Sequence, residues 1–163
     1  AWETGLVSSQ ERAEKSGNVG KLIVVHGVYG CGKRRVAKRL ERVLFDLGYR
    51  TYYLGIANYF EELDQDIRTR DIAREHHIER LGDLARVITD ASTMLITTVT
   101  DADDYDFEKL KRLSAPNEVF VINMGENNFD KYAIDMALPY RPDTDEAADR
   151  VVAQLKESGI LLR

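Results

Sequence analysis

The chain has 163 residues, 44% of them hydrophobic and 31% charged, with a formal net charge of -5. That size and balance fit one soluble domain over 1–163, of which 1–20 is an N-terminal lead-in. The acidic balance and the lack of a basic cluster interleaved with aromatics argue against a nucleic-acid partner. Cys31 is the only cysteine, so no disulfide can form within the chain, in keeping with a reducing cytoplasm. No apolar run approaches the roughly 20 residues of a membrane span, which argues against a membrane partner, and the opening AWETGLVSSQERAEKSG is too polar for a signal peptide.

In chain order, Lys21 to Val25 (KLIVV) is a short β-branched run that predicts a buried strand. A glycine-rich stretch follows. Val36, Leu40, Val43, Leu44 and Leu47 then recur at helical spacing, with Gly48 as the stop. Arg50 to Ile56 predicts a second strand, and Ile78, Leu81, Leu84, Ala85 and Ile88 mark one face of a helix. Thr93 to Val99 predicts a third strand. The stretch DYDFEKLKRL predicts a helix with acidic residues at its N-terminus and basic ones at its C-terminus, as the macrodipole favours. Glu118 to Asn123 predicts a fourth strand. The last helix starts at Asp143 as N-cap with Glu146 three residues on, buries Ala147, Val151, Val152 and Leu155, and stops at Gly159. Strands alternating with helices predict an α/β fold with a mostly parallel sheet flanked by helices, and a ligand crevice at the carboxyl ends of the strands.

The stretch HGVYGCGKRR sits between the first strand and its helix, where a phosphate-binding loop belongs. Gly27, Gly30 and Gly32 supply the tight backbone, Lys33 supplies a charge for phosphate, and Arg34 and Arg35 add to it. The alternative is a tight strand-to-helix turn with an exposed lysine. The pattern G-x-x-x-x-G-K-[ST] ends in a hydroxyl that holds Mg²⁺, and here that position is Arg34, which has no acceptor for a cation. The loop therefore predicts anion binding and argues against an ordinary Mg²⁺ site. Cys31 lies among the loop amides, either as a thiol of lowered pKa or as a small residue filling a small place. Tyr29 is placed to shield a bound anion.

Five stretches give the chain a family resemblance: WETGLVSSQERAEKSG, GVYGCGKRRVAKRLERVLFDLGYRTYYL, REHHIERLGDLARVITDAS, TMLITTVTDADDYDFEKLKRL and PDTDEAADRVVAQLKESGIL. Together they resemble the adenylylsulfate kinase (APS kinase) family, which transfers the γ-phosphate of ATP to the 3′-hydroxyl of adenosine 5′-phosphosulfate. The resemblance implies a P-loop NTPase-type three-layer sandwich, with ATP or ADP at the loop of Gly27, Gly30, Cys31, Gly32 and Lys33, where the charges of Arg34 and Arg35 would add to phosphate binding, and substrate contacts from Asn58, Arg74 and His77. It also implies a nucleotide or other phosphate-bearing small molecule as ligand, and a homodimer or a sulfate-activating domain as partner.

Several family motifs are altered. The family's L-D-G-D-N reads LGIAN, so Gly55 and Ala57 replace two aspartates while Asn58 stays. Its D-R-x-x-N reads AREHH, so Ala73 replaces the aspartate, Arg74 stays, and His77 stands at the asparagine. Of the two arginines that follow, one is Glu79 and the other Arg80. The family's basic lid is reduced to MGENNFDKYAIDMALPYR, short and acidic. These losses point to impaired or lost transfer. The alternative is an active kinase in which Lys33 and Arg34 stabilise the transferred phosphoryl group and Asp101, at the end of the third strand, acts as base.

Two further clusters invite a metal reading. His76 and His77 are adjacent on a helix and diverge, and with His26 they show no zinc spacing. Asp101, Asp103, Asp104 and Asp106 lack the EF-hand register and suit capping.

Overall fold

The computed structural model describes residues 3–55 and 67–163, with residues 67–74 described by their backbone. Five strands form one parallel sheet in the order β2-β3-β1-β4-β5. They are β1 (Lys21–Gly27), β2 (Thr51–Tyr53), β3 (Met94–Thr100), β4 (Val119–Met124) and β5 (Met136–Leu138). The helices are α1 (Ser9–Ser16), α2 (Lys33–Asp46), α3 (Ile67–Asp90), α4 (Asp104–Ser114) and α5 (Thr144–Glu157).

The central strand shows why the molecule has three layers. Successive side chains of a strand point to opposite faces, and Leu22, Ile23, Val24 and Val25 are all at most 1% exposed. Ile23 and Val25 pack with Val36, Leu40 and Leu44 of α2 and Val151 and Leu155 of α5. Leu22 and Val24 pack with Ile78, Leu81 and Ala85 of α3 and Phe107 and Leu110 of α4. A strand covered on both faces reads as a continuous apolar run, as in parallel sheets generally.

The helices begin and end where the sequence predicts stops and caps. Asp103 caps α4 by accepting from Asp106 N while the Asp106 side chain accepts from Asp103 N. Asp143 caps α5 through Glu146 N at 2.9 Å. Gly48 and Gly159 take positive φ, 91° and 77°, at the ends of α2 and α5. The lead-in is docked: α1 has a capping box from Ser8 to Glu11, and Ser92 Oγ donates to Ser9 O at 2.8 Å. Asn18, fully buried, accepts from Arg50 N at 2.9 Å and donates to Ser92 O at 3.0 Å.

Some expectations need correction. The second strand is three residues, not the seven from Arg50 to Ile56, although Leu54 N still bonds Ile96 O at 2.9 Å; Ile56 lies outside the described residues. Leu84 and Leu47 are 43% and 48% exposed, so neither belongs to a buried face. Ile78, Leu81, Ala85 and Ile88 follow the helical stripe and Leu84 falls off its edge, while Leu47 is already past the last turn of α2, which ends at Asp46. β5 was not foreseen, because three residues give no alternation to read.

Candidate functional site

The site is built where β1, β3 and β4 end side by side. Gly27 is paired with Thr100 of β3 and Met124 of β4, so the loop after β1, the corner after β3 and the segment after β4 start at one level. Gly27 has to be a glycine for packing reasons: an added Cβ would lie 2.5 Å from Cys31 Sγ and 3.1 Å from Met124 O. Cys31 is fully buried against it, and its N–H donates to Val28 O at 3.2 Å. Its thiol is therefore a packed group under the loop and is not presented to solvent. Gly30 and Gly32 hold φ of 81° and 93°, which close the loop and start α2.

Lys33 is 7% exposed and its Nζ donates to Val28 O at 3.4 Å, so the ammonium lies along the loop. Arg34 and Arg35 are exposed. These three cations occupy the first turn of α2, which contains no acidic residue and has no side-chain cap. The N-terminus of a helix carries a partial positive charge, and each like charge there costs about 0.3–1 kcal/mol. A helix start so charged favours a negative group over a positive one.

Asp101 follows Thr100 directly, is exposed, and has a left-handed φ of 53°. Its successor Ala102 donates its N–H to His26 Nε2 at 2.9 Å. His26 is the residue before Gly27 and is only 8% exposed. Its Nδ1 lies 2.9 Å from Asn123 Oδ1, and Asn123 Nδ2 donates to Glu126 O at 3.2 Å and Gly125 O at 3.4 Å. Burial holds the His26 pKa below its ordinary value despite the Asn123 hydrogen bond and the nearby Asp101 charge. Sequence reading singled out none of His26, Asn123 and Ala102 as a unit; the lone polar residues within two apolar strands were the available signal.

Arg141 was also missed. Its backbone N–H donates to Cys31 O and its Nε–H to Gly30 O, both at 2.9 Å, and its guanidinium lies 5.4 Å from the Tyr140 ring centroid. It comes from the turn after β5, the strand that had no sequence signature.

The segment after β4 is pinned down. Asp104 accepts from the N–H groups of Lys131 at 2.9 Å, Asp130 at 3.1 Å and Tyr132 at 3.4 Å. Phe129 and Tyr132 stack around Phe107, each with ring centroids 5.2 Å away. Burial, reinforced by Asp135 and Glu108, pushes the Tyr132 phenol up to about 12.

Among the expected substrate residues, Asn58 lies outside the described residues and the Arg74 side chain is likewise not described. His77 is half-buried on α3, on the opposite face of the sheet from α2, and its Nε2 is buried without a hydrogen-bond partner among the described residues. Burial lowers its pKa, with Arg80 adding to the effect. Glu79 pairs with Lys109 Nζ at 2.8 Å. Among the described residues there is no group of three or more His, Cys, Asp or Glu arranged for a metal ion. No helix among them is long and apolar enough to cross a membrane.

A parallel sheet with a glycine loop feeding a helix at its central strand defines a P-loop α/β protein. The sequence profile of adenylylsulphate kinase matches residues 19–124, and the chain belongs to that family. The match ends at Met124, the last residue of β4. Adenylyl-sulfate kinases of Shewanella pealeana and Staphylococcus epidermidis are each 29% identical, over 69% and 72% of this chain and 55% and 59% of their own lengths. The chain thus spans between half and two thirds of these relatives. In solved structures it is similar to the APS kinase of Mycobacterium tuberculosis in complex with AMPPNP and APS, with a TM-score of 0.68, 17% identity, and coverage of 85% of this chain and 99% of that one. It is also similar to a hexameric APS kinase from Thiobacillus denitrificans, with a TM-score of 0.66, 17% identity, and coverage of 93% and 32%. At such identities the likeness is one of fold.

Proposed function

We propose that this chain is a nucleotide-binding or phosphate-binding domain of the APS kinase family whose phosphotransferase activity is impaired or lost. The observation that carries this reading is the first turn of α2, where Lys33, Arg34 and Arg35 stand together at the positive end of the helix with no acidic residue among them. Such a turn is stabilised by an anion and has nothing to offer a cation. ATP or ADP is the ligand suggested by the family, and the structure of the M. tuberculosis APS kinase is in complex with AMPPNP and APS.

Mg²⁺ does not fit the residues present. Arg34 replaces the metal-holding hydroxyl, Gly55 and Ala57 replace carboxylates, and no acidic side chain lies in the first turn of α2. Phosphoryl transfer rests on positioning and charge stabilisation, and a cover that excludes water. A segment after β4 tied to Asp104 and packed on Phe107 supports the view that this cover is absent.

The second reading is an active kinase acting on adenylylsulfate or a related small molecule. It is favoured by Asp101, which begins at the level of Gly27 because Thr100 pairs with that glycine. Here Asp101 takes the proton of the attacking hydroxyl while Lys33 and Arg34 neutralise the transferring phosphoryl group. A coupled assay with ATP, Mg²⁺ and adenylylsulfate separates the readings, since turnover above about 1 s⁻¹ is ordinary for a kinase. A domain without transfer activity would act in regulation or assembly, beside a second copy of itself or a sulfate-activating partner. The docked lead-in supports treating 1–163 as one domain, and the buried lone Cys31 suits a reducing cytoplasm.

A further inference from the structure

We propose that His26 is a positioning residue that holds the Asp101–Ala102 corner beside the phosphate loop through a single ring tautomer. The hydrogen bonds leave no choice of tautomer. Ala102 N–H can only donate, so Nε2 accepts and carries no proton. Asn123 turns its amide nitrogen to the carbonyls of Gly125 and Glu126, so its oxygen faces the ring and takes the proton of Nδ1. Asn123 thereby fixes the tautomer, and the tautomer fixes Ala102. The ring is packed edge-on against Phe107, with centroids 5.4 Å apart, and at a tilt against Phe129 at 4.9 Å.

What the ring holds is the corner at which the chain turns after β3. Asp101 has a left-handed φ of 53°, a region that aspartate enters more readily than most residues but that is still uncommon for a side chain with a Cβ. The bond to Ala102 ties that corner to the strand that carries the loop. One imidazole thus joins β1, the corner after β3 and the segment after β4, all at the carboxyl ends of the strands where ligands of parallel sheets bind.

A second proton on the ring would turn Nε2 into a donor facing the Ala102 donor, and the bond would be lost. The charged groups acting on the ring are Asp101, after β3, which favours the imidazolium, and Lys33 of α2, which opposes it. From α4 and from the segment after β4, the faces presented are the rings of Phe107 and Phe129. The anion site and the Asp101 corner are therefore coupled through one proton, and that coupling rests on the anion-binding reading above.

The test is a nitrogen-resolved NMR titration of the His26 ring, with the Asp101 and Ala102 amides followed in the same spectra. It is run on the wild-type chain and on Asn123→Asp, an isosteric change that puts a carboxylate against Nδ1–H. Above the transition the expected form is Nδ1–H with an unprotonated Nε2. On acidification both amides move with the ring's midpoint, and Asn123→Asp raises ring and amide midpoints together by a pH unit or more. An Nε2–H tautomer overturns the proposal. So do amides that fail to follow the ring in both proteins down to acid unfolding, which is what a merely packed histidine would give. Repeating the titration with ADP in EDTA separates the two readings. Bound ADP is expected to raise the ring midpoint, and bound ADP with an unmoved midpoint overturns the coupling. If ADP does not bind, the anion-site reading fails, while joint movement of ring and amides in the free protein still supports the positioning role.

Discussion

The carbonyl oxygen of Gly30, in the middle of the glycine loop, accepts the Nε–H of Arg141 at 2.9 Å across 111 residues of sequence. The same arginine's backbone N–H is bonded to Cys31 O, also at 2.9 Å, so the turn after β5 holds the loop by two adjacent carbonyls. Arg141 does this with a left-handed φ of 46°. Replacing it by alanine removes a charge-assisted bond and keeps the strained backbone, and is expected to cost about 1–2 kcal/mol on this partly solvated surface. Arg141→Gly loses the same bond but relieves the backbone, and should be the less damaging of the two. Urea unfolding of both variants checks the order, and equal stability for all three proteins would contradict the tether.

Gly27 and Cys31 form a second pair inside the loop. Gly27→Ala places a Cβ within 2.5 Å of the thiol sulfur, and Met124 O limits escape on the other side. Overpacking of this kind costs about 1–3 kcal/mol. Because the sulfur is the nearest obstacle, Gly27→Ala combined with Cys31→Ala should be more stable than the sum of the single changes predicts. A double-mutant cycle by thermal or urea unfolding measures this coupling, and strict additivity would mean the contact has no energetic weight.

Asp104 holds the segment after β4 by accepting three backbone N–H groups, from Asp130, Lys131 and Tyr132. Asp104→Ala leaves those donors to water and is expected to cost about 1–3 kcal/mol. Amide hydrogen exchange at 130–132 should rise many-fold while exchange in β1 and β4 changes only with global stability. Unchanged exchange at 130–132 would show that the aromatic contacts of Phe129 and Tyr132 hold the segment without Asp104.

His26 and His77 both have pKa values held below the ordinary 6.5, chiefly by burial. In the unfolded chain each takes up a proton near 6.5, before it does so in the folded one. Their contribution to stability is therefore complete above pH 6.5 and is lost as pH falls below it, through the folded values. Each ring can contribute a slope of up to about 1.4 kcal/mol per pH unit in that window. Asp135, whose carboxyl is pushed up by burial, works in the opposite sense where it titrates. Urea unfolding between pH 7.5 and 5.5 should show falling stability, and a flat profile would contradict the buried neutral rings.

Most of the fold was legible because its signals are local. Leu22 to Val25 form a continuous apolar run and lie buried on both faces, Asp103 and Asp143 are caps, and Gly48 and Gly159 are stops. The glycine loop was legible for the same reason, since its spacing is a backbone requirement. The partners of the loop were not. Arg141 reaches Gly30 from a turn after a three-residue strand, and His26 meets Asn123 and Ala102 only when three strands are set side by side. Such contacts depend on register, which no short stretch of sequence carries. The aspartates after β3 show the same limit: their capping role could be read, but the three amides held by Asp104 could not.

The most direct test of an anion site that works without a divalent ion is calorimetric titration of ADP into the chain, in EDTA and in excess Mg²⁺, with Lys33→Ala as control. The account predicts heat of binding of similar affinity in both buffers, lost in Lys33→Ala. Binding that appears only with Mg²⁺, together with adenylylsulfate-dependent turnover above about 1 s⁻¹, would contradict it.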